Sequence, residues 1–197
     1  MDLKGKRIGF GLTGSHCTYE QVFPQIEKLM ELGAEVVPIV SYTVQETDTK
    51  FGNAKDHLER IKQITGKELV KTMPEAEPLG PQAPLDCMII APLTGNSLSK
   101  FANALTNTPP LMAAKATLRN GSPVVLAIAT NDALGLNAMN LGKLLVTKNV
   151  FFVPYGQDHP YKKPDSLVSH MELIPETIDE AINGKQLQPI MRNYDIV

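Results

Sequence analysis

The sequence has 197 residues, 43% hydrophobic and 20% charged, with a formal net charge of −2, enough for an ordinary globular core. The near-neutral balance and scattered Lys and Arg give no footprint for nucleic acid, and no apolar stretch is long enough to span a bilayer. The first apolar run, at Ile8, is broken at once by glycines and does not read as a secretory leader, so a cytosolic protein is expected.

Apolar runs alternate with segments of helical period, the pattern of βαβ units that build a parallel sheet. Arg7–Gly11 reads as the first strand. Tyr19–Leu32 follows as a helix with Val22, Ile26, Leu29 and Met30 on one face, and Gly33 stands where a helix commonly ends. Glu35–Val40 is the second strand. Ala54–Thr65 is a helix with Leu58, Ile61 and Ile64 inward, stopped near Gly66, and Glu68–Lys71 is a short third strand. Residues 74–84, with four prolines and two acids, read as a surface connection. Asp86–Pro92 is the fourth strand. Ser97–Leu105 and Leu111–Arg119 read as helices separated by a Pro109-Pro110 break. Pro123–Thr130 is the fifth strand, Asn137–Thr147 a helix, Val150–Pro154 the sixth strand, and Ile174–Asn183 a last helix with Pro175 in its first turn. No internal repeat is present. The expectation is a single doubly wound α/β domain over residues 1–197, in three layers around a parallel sheet.

Gly9-Phe10-Gly11-Leu12-Thr13-Gly14 has the spacing of a dinucleotide-binding turn. Such a turn also needs an acidic residue at the end of the second strand. Ser41 stands there, Glu35 lies at the opposite end, and Gly9 falls inside the first strand. These residues argue against nicotinamide binding by this chain. Thr13-Gly14-Ser15 suits a single phosphate monoester instead, because small residues free the backbone N–H groups and hydroxyls add donors at a helix start. A tight turn with no ligand is the other reading of the same residues.

Ligands of open α/β sheets sit beyond the carboxyl ends of the strands. Thr94, Asn96 and Ser97 follow the fourth strand, with Ser97 or Asn96 placed to cap the next helix. Thr130-Asn131-Asp132 follows the fifth strand and Ser41 the second. These neutral groups suit a heterocycle edge and a phosphate better than a metal, and no metal site is expected. Cys17 and Cys87 lack metal-ligand spacing. Both are expected as small buried residues in a reducing compartment.

In four blocks the sequence resembles the flavoprotein family that includes the flavin-dependent cysteine decarboxylases and the flavin prenyltransferases. The blocks are Gly11-Leu-Thr-Gly-Ser15, Val40-Ser41, the run from Ile90 to Leu105, and Asn131, within roughly residues 5–150. The resemblance implies strand order 3-2-1-4-5-6, FMN as cofactor, and a trimer-based homo-oligomer with flavin near a subunit interface. It implies Thr13, Gly14 and Ser15 at the phosphate and Ser41 near the phosphate or ribityl chain. Thr94, Asn96 and Ser97 would line the flavin, with Thr130 and Asn131 at the pocket edge.

The chain departs from the family's known chemistries in two places. The decarboxylases carry a histidine shortly before the fourth strand, where this chain has its proline-rich segment; His57 lies in a helix well upstream. After the fifth strand the decarboxylase motif reads Ile128-Ala-Thr-Asn-Asp-Ala-Leu-Gly135, in which only the Asn survives, and the prenyltransferase arginine is Ala129. Neither decarboxylation nor prenyl transfer is expected.

The blocks from Thr106 to Lys115 and from Pro154 to Asp158 carry a closer likeness, to one subunit of a two-subunit oxidoreductase. That likeness implies a partner subunit of nicotinamide-binding Rossmann type that holds NADP, and a small dihydropyridine dicarboxylate as substrate. Oxidation to a pyridine gains aromaticity, so the protein must chiefly orient the ring and bind two carboxylates. Lys162 and Lys163 are the candidate cations, in a segment (156–169) long enough to serve as a lid or a partner contact. Both lysines also read as solvated loop charges and His159 as a turn residue, while His16, next to the phosphate turn, reads equally as a ligand contact or as helix-entry packing. No catalytic residue stands out. Two readings stay open: a flavin-bearing redox subunit, and a cofactor-free subunit that supports its partner or channels substrate.

Overall fold

The computed structural model describes residues 1–194. The chain opens with β1 (Arg7–Leu12), α1 (Tyr19–Glu31), β2 (Glu35–Val40), the short α2 (Tyr42–Glu46), α3 (Ala54–Thr65) and the single-turn α4 (Met73–Ala76). Then come β3 (Cys87–Leu93), α5 (Gly95–Ala102), α6 (Pro109–Arg119), β4 (Val124–Thr130) and α7 (Ala138–Leu145). β5 (Val150–Phe152), β6 (Tyr155–Gly156), β7 (Leu167–Ser169) and α8 (Ile174–Ile182) follow.

Strands β2, β1, β3 and β4 are parallel neighbours in that order, and β5 adds in parallel to β4. The expected third strand is present as one parallel bridge, Ile39 to Val70, on the outer side of β2. It goes no further because the Gln45 amide donates to Val40 O (3.1 Å) and Lys71 O (2.8 Å), taking the place of the next rung. This arrangement matches the expected order.

The sheet also has an antiparallel part that the sequence pattern does not announce. The expected sixth strand stops at Phe152, and β6 then pairs antiparallel with β7, which pairs antiparallel with Ala129 and Thr130 of β4. One side of β4 is thus shared by β5 below and β7 above. Ser169 fills the seam. Its fully buried hydroxyl accepts from Ile128 N (2.8 Å) and donates to Val153 O (3.2 Å). On the outer side of β6, Tyr155 N donates to Ile190 O and Arg192 N to Tyr155 O, both at 2.9 Å.

Successive side chains of a strand face opposite sides, and β3 shows it. Cys87, Ile89 and Ala91 join the core under α1 and α8, while Met88 and Ile90 join the core under α5, α6 and α7. Helix α1 buries Val22, Phe23, Ile26 and Leu29 on its inward face. It ends at Gly33, whose φ of +86° lets its N–H reach Met30 O. Gly9 and Gly11 serve this packing. A Cβ at Gly9 would meet Leu85 Cδ1 at 2.5 Å and Met88 Sδ at 2.7 Å, and one at Gly11 would meet Met88 Cε at 2.7 Å. The glycine spacing therefore makes room for Met88 and Leu85 against β1, a use that needs no dinucleotide.

Two local readings are corrected. Pro109 and Pro110 form the first turn of α6 and do not interrupt it, since the missing N–H groups have no helical partner there. The proline-rich segment is more than a surface connection. Thr72 and Glu75 form a reciprocal capping box that starts α4, and Ala76 and Leu79 are buried in the second core. Among the described residues no helix is long and apolar enough to cross a membrane.

Candidate functional site

The carboxyl ends of β1 to β4 open into two cavities that share Gly14 and Thr94. One, of about 370 Å³, takes Thr13, Ser41, Asn96 and Ser97 together with Lys100 and Thr108. The other, of about 330 Å³, takes Ser15, Thr130 and Asn131, and on its far wall Asp158, Lys163 and Ser166 from the β6–β7 hairpin. Every residue expected to meet the cofactor lines one of the two, and of the two candidate cations Lys163 does and Lys162 does not.

Their side chains are not equally available. Thr13 is 1% exposed, and its hydroxyl donates to Pro92 O (2.6 Å) and accepts from Thr94 N (3.1 Å). It ties the turn after β1 to the turn after β3 and has no hydroxyl proton left for a ligand. Thr94, not Asn96 or Ser97, is the N-cap of α5. It accepts from Ser97 N (3.2 Å) and donates to Ser97 Oγ (3.0 Å), so the helix starts at Gly95, before the expected Ser97. Ser41 differs. It is buried, and among the described residues its Oγ has no partner; the same holds for Thr108 Oγ1 on the same cavity. Asn96 and Asn131 are exposed at the two mouths.

Behind Thr130 lies a network that the sequence reading missed. Thr130 Oγ1 donates to Asp132 Oδ1 (2.5 Å), and Asn137 Nδ2 donates to Asp132 Oδ2 (2.8 Å) and to Gly95 O (3.3 Å). Gly95 is needed there, because a Cβ would meet Asp132 Oδ1 at 2.5 Å and Thr130 Oγ1 at 2.6 Å. The signal was the buried amide at Asn137, hidden because Asn also suits a helix start.

His16 is buried beneath the first turn, with Nδ1 2.9 Å from Gly14 O and its ring 5.9 Å from that of His57. Among the described residues its Nε2 is buried and has no partner. Burial holds the His57 imidazole below its ordinary pKa, and His16 adds to this. Cys87 is buried, and burial pushes its thiol up. Cys17 is not the small buried residue expected: it is exposed and lines the 330 Å³ cavity. His159 lies in an exposed turn whose carbonyl accepts from the N–H groups of Lys162 and Lys163. Among the described residues no group of three His, Cys, Asp or Glu could hold a metal ion.

A family model described as Flavoprotein matches residues 1–182. The chain belongs to the flavoprotein family. It is 62% identical over 193 residues to the B subunit of dipicolinate synthase from Bacillus subtilis (strain 168), covering 98% of this chain and 96% of that one. The crystal structure of the dipicolinate synthase B subunit from Bacillus halodurans C superposes with a TM-score of 0.91 at 60% identity, over 98% of this chain and 99% of that one. A dodecameric FMN-dependent Ubix-like decarboxylase from Escherichia coli O157:H7 shares the fold, with a TM-score of 0.61 at 20% identity over 75% of this chain and 79% of that one.

The residues present fit a flavin mononucleotide. Ser41 Oγ and Thr108 Oγ1 are buried and unpartnered at one cavity, the state expected of donors that a phosphate would satisfy. Gly14, which lines both cavities, lets its turn pack tightly against α2, since a Cβ there would meet Thr43 Cγ2 at 2.7 Å.

Proposed function

We propose that this chain is the B subunit of a two-subunit oxidoreductase, dipicolinate synthase, which oxidises dihydrodipicolinate to dipicolinate during sporulation. The observation that carries the reading is the 62% identity to the Bacillus subtilis B subunit over nearly the whole of both chains. In this reading the chain works in the cytoplasm of the mother cell. The enzyme's A subunit is the partner and binds NADP, and neither nucleic acid nor membrane is involved.

FMN is the cofactor proposed for this chain. Ser41 and Thr108 would hold its phosphate, with Gly14 and Ser15 at the turn. Thr94, Asn96 and Ser97 would line the ribityl chain and ring, and Thr130 and Asn131 would border the reacting face. A bound flavin supplies a two-electron acceptor. The chain's own residues orient the substrate ring and exclude water from the cavity under the β6–β7 hairpin. A homo-oligomer belongs to the same reading. Leu136, Met139 and Val146, on and beside α7, are 93%, 88% and 85% exposed, more apolar surface than a lone helix usually leaves in water.

The test is the visible absorption spectrum of the purified chain, with and without added FMN. Flavin bands that survive desalting support the cofactor-bearing reading. A colourless protein that takes up no FMN, yet is required for turnover by its nicotinamide-binding partner, would instead mark a cofactor-free supporting role.

A further inference from the structure

We propose that Lys163 binds a ring carboxylate of the ligand in the 330 Å³ cavity, and that Asp158 is an internal carboxylate which holds the ammonium until that ligand displaces it. The inference rests on the oxidoreductase reading above and names the groups that meet its substrate.

The sequence offered two lysines, and the fold separates them. Lys163 lines the cavity and Lys162 does not. Among the described residues of its lining, Lys163 carries the positive charge and Asp158 the negative one. The pair is loose. Lys163 Nζ lies 3.9 Å from Asp158 Oδ2, with the lysine side chain 53% exposed and the aspartate 22%. A charge-assisted hydrogen bond closes to about 2.8 Å, so this contact is one that a better-placed carboxylate can replace.

Asp158 is the fixed member of the pair. Ser166, 3% exposed, donates to Asp158 Oδ1 at 2.6 Å and leaves Oδ2 facing the ammonium. The loop beneath is braced: Gln157 Nε2 donates to Pro164 O (2.8 Å), Lys163 N to His159 O (2.7 Å) and Ser166 N to Lys163 O (3.0 Å). The backbone of Lys163 is therefore held while its flexible stem swings. Ser15 and Asn131 on the same cavity add neutral donors. Such a site suits a small planar carboxylate. Asp158 repels it, so the aspartate weakens binding and recaptures the lysine when ligand leaves.

The sign of the aspartate's effect separates this arrangement from a purely structural ion pair. The experiment is calorimetric titration of pyridine-2,6-dicarboxylate into the full-length chain, repeated with the nicotinamide-binding partner present. Lys163→Met is expected to weaken binding by about tenfold or more, with Lys163→Arg restoring part of it. Asp158→Asn is expected to tighten binding several-fold, and Lys162→Met to leave it unchanged. Circular dichroism checks that each variant folds. Binding by the wild type that Lys163→Met leaves intact, or that Asp158→Asn weakens, overturns the inference while the oxidoreductase reading stands. A wild type that binds no pyridine dicarboxylate, alone or with its partner, overturns the inference and removes this chain from substrate binding altogether.

Discussion

The rim formed by Thr13, Ser41 and Thr94 and the hairpin that carries Asp158, Lys163 and Ser166 face the same cleft, but different forces place them. The rim sits at the ends of parallel strands buried on both faces, so the register of β1, β2 and β3 sets it. Its polar groups are neutral. The hairpin pairs with β4 at its last two residues, Ala129 and Thr130, and carries the cleft's ion pair. A ligand's constant end belongs on the first side, where the strand register fixes each group in place. The loop of the second side, which carries Asp158 and Lys163, can be altered with little effect on the sheet, which suits groups matched to one substrate.

Substitutions can break or sharpen that contrast. The largest effect is expected from Gly95→Ala, which pushes a methyl into Asp132 and Thr130. Overpacking of this kind costs about 1–3 kcal/mol, read as a lower urea midpoint, and flavin retention should be lost with it. Thr13→Val and Ser169→Ala come next. Each leaves one buried N–H and one buried carbonyl without its hydroxyl partner, a loss of about 1–3 kcal/mol. Only the Thr13 variant should also weaken FMN binding; equal loss of flavin in both would mean that the two sides are not independent. Ser41→Ala removes a hydroxyl that has no partner. Stability should stay within about 0.5 kcal/mol, while FMN affinity falls roughly tenfold in a fluorescence titration. The smallest effect concerns pH. Burial, then His16, lowers the His57 pKa in the fold from its ordinary 6.5, with Arg60 acting the same way and Asp56 and Glu20 opposing. Below that value the unfolded chain binds a proton that the folded chain resists, so stability is full above it and declines as pH falls towards the folded value. His57→Gln should flatten this decline in urea midpoints measured between about pH 7.5 and 5.5.

The parallel strands and long helices were legible because burial imposes a period on them. The runs at Arg7, Glu35 and Val124 and the stripe of Val22, Ile26 and Leu29 carry that period within one segment. β6 and β7 were not legible. Two and three residues are too short for any alternation, and their pairing joins positions far apart in the chain. Leu167-Val168-Ser169 between polar stretches was the only trace. At the site, the identity of the rim residues could be read, but their availability could not. Thr13 and Ser41 are both small hydroxyl residues at strand ends, and only the fold shows that one is spent on backbone groups and the other left open. Lys162 and Lys163 are equivalent as sequence, and only the folded loop shows that Lys163 lines the cavity and Lys162 does not. The Thr72 and Glu75 pair was a readable helix signal, masked by the prolines around it.

The pairing of Ile190 and Arg192 with Tyr155 bears on self-association. A strand at the end of a sheet offers unpaired N–H and carbonyl groups to any other chain that can dock alongside. Here the chain spends its own residues to close that edge, and the closure depends on Gly156, where an added Cβ would collide with the Arg192 carbonyl oxygen. A side chain at position 156 would leave the cleft's chemistry in place while opening the sheet to strand addition from neighbouring molecules, and its first symptom would be precipitation.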